Sequence, residues 1–115
     1  MKETIRFNSE QADGFVKTAL WAMDYPADTE IITTITEDNK VTYQASYKTM
    51  YHGESTKCIM PISRRNFLEL MTLGMSLKGY TTEHVHFTVR DKKVQYEAVT
   101  EIVSYDTLSR RRRKG

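Results

Sequence analysis

The sequence predicts an α+β domain made of two β-α-β-β units, with about six mostly antiparallel strands forming one sheet or a partly closed barrel and two helices packed on it. Apolar residues return at helical spacing in two windows. Between those windows, β-branched and alternating runs are punctuated by turn residues. The order of the elements repeats at a fixed offset of 53 residues.

Lys2 to Phe7 reads as a short strand, and Asn8 and Ser9 are both good helix caps, with Gln11 placed three after Asn8 as in a capping box. Ala12, Phe15, Val16, Ala19, Leu20 and Met23 then share one helical face, and Tyr25-Pro26 ends the helix because the residue before proline avoids the helical region. Thr29 to Thr36 is rich in β-branched residues, Asp38-Asn39 marks a turn, and Val41, Tyr43, Ala45 and Tyr47 alternate along a second strand. His52 to Ser55 breaks the pattern, and Thr56 to Ile62 forms the next strand. Ser63 caps a second helix from Arg64 to about Lys78 that carries Phe67, Leu70, Met71, Gly74 and Leu77 on one face, widened by Leu68, Leu73 and Met75. Its wider stripe predicts that it is the more buried of the two, with Gly79 as a left-handed cap. Tyr80 to Arg90 and Lys93 to Tyr105 read as a last hairpin turning at Asp91-Lys92.

The repeat pairs Thr29-Glu30 with Thr82-Glu83, Asp38 with Asp91, Lys40-Val41 with Lys93-Val94, Tyr43 with Tyr96 and Ala45 with Ala98. The helices join the alignment when one residue is inserted, so that Ser9 meets Ser63. An internal duplication explains these identities, although strands drawn from one β-rich alphabet also produce matches by chance.

A chain of 115 residues that is 39% hydrophobic and 28% charged is one domain's worth of ordinary globular sequence. Residues 1–105 are read as that domain and 106–115 as a flexible basic tail. A lone cysteine, Cys58, forms no internal disulfide, and neither a signal-like apolar run nor a membrane-spanning segment is visible, so a cytoplasmic location without membrane insertion is expected. Arg110, Arg111, Arg112, Arg113 and Lys114 supply five of the 17 positive charges, while all 15 acids precede them, so a mildly acidic body carries a basic end.

The residues show no catalytic or cofactor motif, and no metal site is assigned. Cys58 sits in an apolar strand, where a buried, inert thiol is the ordinary outcome. His84 and His86 share a strand face, which suits two solvated side chains better than a metal lacking a third ligand. Tyr43, Tyr47 and Tyr96 resemble base-stacking aromatics, yet Tyr43 and Tyr47 share their face with Val41 and Ala45, which favours core packing. Arg64 and Arg65 open a helix whose first turn favours anions, so they either grip a phosphate there or lie solvated over the adjacent strand. The run Arg110 to Lys114 suits a polyanion; an acidic protein, an anionic membrane or plain solubility would use it equally.

The duplicated halves, the helix start Ser63-Arg64-Arg65-Asn66-Phe67 and the basic end together resemble the PrgU-like group, small cytoplasmic proteins of conjugative plasmids that restrain production of a surface adhesin. That resemblance implies a PUA-like barrel and a regulator acting on messenger RNA. The strand-helix-strand duplication, with Ser63 to Leu68 at its second helix, also looks like a single domain of the DNA sliding clamps, although a clamp ring needs several such domains per subunit. The resulting expectation is a non-enzymatic RNA-binding or other polyanion-binding regulator, with Arg64, Arg65, Arg110, Arg111, Arg112, Arg113 and Lys114 as phosphate contacts. A protein-protein interaction module, with a protein partner or a second copy, is the alternative.

Overall fold

The computed structural model describes residues 2–101. The elements are β1 (Lys2–Phe7), α1 (Ser9–Ala22), β2 (Glu30–Ile35), β3 (Val41–Tyr51), β4 (Glu54–Ile62), α2 (Arg64–Leu77), β5 (Thr81–Arg90) and β6 (Lys93–Glu101). The α+β class and the order of elements match the expectation, but the sheet does not. The strands form two separate antiparallel sheets, ordered β1-β6-β5 and β2-β3-β4, and they close into no barrel.

Each sheet is a hairpin from one half completed by the first strand of the other half: β1 pairs with β6, and β4 pairs with β3. Where the inner faces approach, Tyr43 of β3 and Tyr96 of β6 meet hydroxyl to hydroxyl at 2.7 Å, and Phe67 of α2 lies flat on the Tyr43 ring at 3.7 Å. These three buried rings link the central strands of the two sheets through side chains. Burial raises the pKa of both hydroxyls above the ordinary tyrosine value, so each remains protonated and able to hold the other.

The helices lie together over the inner faces, α1 packing on β1, β2 and β6 and α2 on β3 and β5. Their contact is close because Gly74 of α2 sits against the backbone carbonyl of Phe15, where any Cβ would collide with the Phe15 oxygen. The result is a slab 18 Å thin and 55 Å long, one helix layer on one sheet layer.

Local chemistry sets the element ends. Asn8 and Gln11 form a capping box at α1, each side chain accepting from the other's backbone N–H at 2.8 and 3.0 Å. Ser63 Oγ accepts from the Asn66 N–H at α2, and Gly79, at φ +97°, ends that helix. The break expected over His52 to Ser55 is shorter, since β3 and β4 run on to a two-residue turn at His52-Gly53 with φ of 50° and 79°. The helix α2 is not more buried than α1: Ala12, Val16, Ala19 and Leu20 are sealed in one, Phe67, Met71, Gly74 and Met75 in the other. Leu77, read on the main apolar face of α2, and Leu73, read as widening it, are both exposed instead, because a two-layer slab covers only one side of a helix.

The paired hydroxyls generate a prediction. Tyr43→Phe or Tyr96→Phe leaves one buried hydroxyl without a partner and should cost about 1–2 kcal/mol, whereas the double variant should cost less than the sum of the two. Urea denaturation of the four proteins of that cycle measures the coupling.

Candidate nucleic-acid interface

The cations gather most densely at one end of the slab, around the β5–β6 turn. Arg90 and Lys93 are the last pair of that hairpin and stand directly opposite each other, an arrangement that like charges disfavour. Lys92, between them, holds φ +59°, and its neighbour Asp91 holds +53°, in a turn that ordinarily takes glycine at the second position. All three cations are exposed, and none belongs to an ion pair among the described residues. Arg6, from the end of β1, lines the same cleft as Arg90 and Lys93, and its Nε donates to Glu97 at 3.2 Å. With Asp91 as the acid among Arg90, Lys92 and Lys93, the turn keeps a net positive charge, which suits an anion.

Arg64 and Arg65 lie where the sequence put them, exposed in the first turn of α2, which carries no acid. Arg65 is tied to Glu69, one turn on, at 3.3 Å, while Arg64 belongs to no ion pair among the described residues and its charge reaches the Tyr43 hydroxyl. The segment Arg110 to Lys114 lies outside the described residues. The structure therefore brings Arg64 and Arg65 together but shows no contact between them and the β5–β6 cluster.

The aromatic and nucleophilic candidates resolve toward the core. Tyr43 and Tyr96 are buried and offer no free stacking face, while Tyr47 is half-buried and meets Tyr25 edge-on at 5.4 Å. His84 and His86 are exposed, and His86 Nε2 lies 3.2 Å from Glu97. No group of three or more His, Cys, Asp or Glu side chains among the described residues is arranged to hold a metal. Cys58 is half-buried rather than sealed, its Sγ 3.6 Å from the Thr49 hydroxyl, because β4 is an edge strand with one side open.

One site was missed by sequence reasoning. Between the start of α1, the inner face of β2 and the β5–β6 turn lies a cleft of about 650 Å³, with Asp13, Thr33, Lys92 and Lys93 among its lining residues. Asp13 Oδ1 and Thr33 Oγ1 are buried there without a hydrogen-bond partner. Burial pushes the Asp13 carboxyl up to about 6, an effect that Lys17 partly offsets and Glu10 reinforces. The signal was present in the sequence, since Asp13 falls among Ala12, Val16 and Leu20 on the apolar side of its helix.

No protein-family model matches the chain, and no match appears among curated proteins or solved structures.

The sign of the Asp13 shift fixes a pH dependence. Because the folded form holds this proton more tightly than the unfolded chain, whose carboxyl titrates near 3.8, stability falls as pH rises from about 4 through about 6 and is level above. Asp13→Asn removes the charged form. Discounted for solvent screening, the variant should be about 1–2 kcal/mol more stable than the parent at pH 7, and that difference should shrink toward pH 4. Thermal unfolding of both proteins across that range isolates Asp13 from the other carboxylates.

Proposed function

We propose that the chain is a non-enzymatic, nucleic-acid-binding regulatory protein, with single-stranded RNA as its ligand. The observation that carries this reading is the like-charged, strained turn of Arg90, Lys92 and Lys93, with Arg6 beside it, since phosphates placed among these cations would remove the repulsion. Arg64 and Arg65 supply a second basic point at a helix N-terminus, and Arg110 to Lys114 supply further cations in sequence. Post-transcriptional control of a plasmid-encoded surface protein is the narrower role, drawn from the PrgU resemblance alone. The PUA-like barrel no longer supports it.

A second reading, the protein-interaction module, is favoured by a different surface. Trp21, Met23, Leu73 and Leu77, at the ends of the two helices, are exposed at 47%, 52%, 42% and 53% and supply apolar side chains that a protein partner could cover.

Salt dependence separates the two. Binding of a short single-stranded RNA, followed by fluorescence anisotropy, should weaken steeply with salt. Replacing Arg90, Lys92 and Lys93 together by Gln should flatten the log–log slope by about 2, at roughly 0.7 for each single-strand phosphate that is no longer neutralised. A slope unchanged by the triple substitution would remove the turn from the interface. Absence of RNA binding altogether would pass the function to the apolar helix layer.

A further inference from the structure

The duplication makes the cleft beside α1 conspicuous, because the other half of the molecule has filled the corresponding place. In the aligned helices Asp13 stands where α2 has Phe67, by the same one-residue offset that sets Ser9 against Ser63. The strand registers give a second correspondence: Thr33 is opposite Tyr43 as Phe87 is opposite Tyr96. Two phenylalanines packed near Tyr96, at ring-centroid distances of 5.9 and 6.0 Å, are thus represented in the first half by a carboxylate and a hydroxyl. Their oxygens, Asp13 Oδ1 and Thr33 Oγ1, are two of the three buried side-chain oxygens without a partner among the described residues, the third being Thr100 Oγ1 on β6. A core position that exchanges an aromatic ring for an unpaired carboxylate loses packing and desolvates a charge, and a ligand that fills the space and donates to the oxygens would compensate for both.

The walls define the ligand. Ile31, Ile35 and Val94 present apolar surface, and Asp13 and Thr33 sit among them as acceptors. Lys92 and Lys93 stand over the cleft, and neither is bound to a carboxylate among the described residues. Glu10, exposed at the start of α1, directs a negative group toward the lysines and away from the helix end. A flat apolar ring bearing N–H donors, joined to an anion, satisfies every one of these surfaces.

We propose that this cleft binds one nucleotide of the RNA strand, with the amino group of its base donating to Asp13 beside Thr33 and its phosphate resting on Lys92 and Lys93. The proposal rests on the nucleic-acid reading and adds base selection to it. Cytosine offers an N4 amino group to a carboxylate, whereas uracil carries a carbonyl oxygen at the same ring position and would set oxygen against oxygen.

The test compares short oligocytidylate and oligouridylate, two weakly stacking pyrimidine strands of equal charge, at one salt concentration with the full chain. The cytidine strand should bind about tenfold more tightly, corresponding to one good base-edge contact. Asp13→Asn should abolish most of that preference without changing the salt slope. Joint replacement of Lys92 and Lys93 by Gln should weaken both strands alike. Amide chemical shifts of the unsubstituted protein should move at Asp13, Thr33 and Lys93 on adding the cytidine strand, which decides the location even if a variant fails to fold. Equal binding of the two strands, a preference that survives Asp13→Asn, or shifts that avoid the cleft would overturn base selection there while leaving phosphate binding intact. If neither strand binds, both readings fall.

Discussion

The Tyr43–Tyr96 hydrogen bond is the point on which the architecture turns. It joins the central strands of two sheets that share no backbone pairing, and each tyrosine stands at the same place in its own half. A buried hydroxyl needs a partner, and here the partner is the tyrosine 53 residues away in the other half. Phe67 then fixes the second helix on the ring of Tyr43, and the first helix follows because Gly74 admits the Phe15 backbone into direct contact.

From that symmetric centre the halves diverge in chemistry. The second half packs aromatic rings around the seam; the first half presents Asp13 and Thr33 at the corresponding places. The turns differ as well, with Arg90, Lys92 and Lys93 in one set against Glu37, Asn39 and Lys40 in the other. A pseudo-symmetric fold therefore carries an asymmetric distribution of charge and cavity among the described residues, with a cleft and crowded cations together at the β5–β6 turn.

Much of the fold was legible because local signals agree with it. Asn8 with Gln11, Ser63, Gly79 and the alternation of Val85, Phe87 and Val89 each specify an element without help from distant contacts. The division into two sheets was not legible, since it depends on which strand lies beside β3 and β6, and no local pattern encodes that choice. The exposure of Leu73 and Leu77 was hidden for a similar reason: periodicity counts apolar residues on a face and says nothing of how wide a face the sheet can cover. At the candidate interface, the sequence showed Arg64 and Arg65 plainly. Arg90 and Lys93 flank the turn expected at Asp91-Lys92, so their opposition follows from the hairpin, but no sequence motif marks the pair as a phosphate site. Asp13 belongs to no motif, and what distinguishes it is burial, which depends on distant packing.

The exchange of first strands also sets the order in which this chain can assemble. Strand β4 reaches β3 across a two-residue turn, while its counterpart β1 must wait for β6, Lys2 meeting Glu101. Closing so long a loop costs more chain entropy than closing a hairpin, so two sheets that look equivalent in the finished molecule are unequal in the folding of it. The β2-β3-β4 sheet can form as a local meander early. The β1-β6-β5 sheet is completed only when the two ends of the chain come together, so its formation carries the larger share of the loop-closure cost.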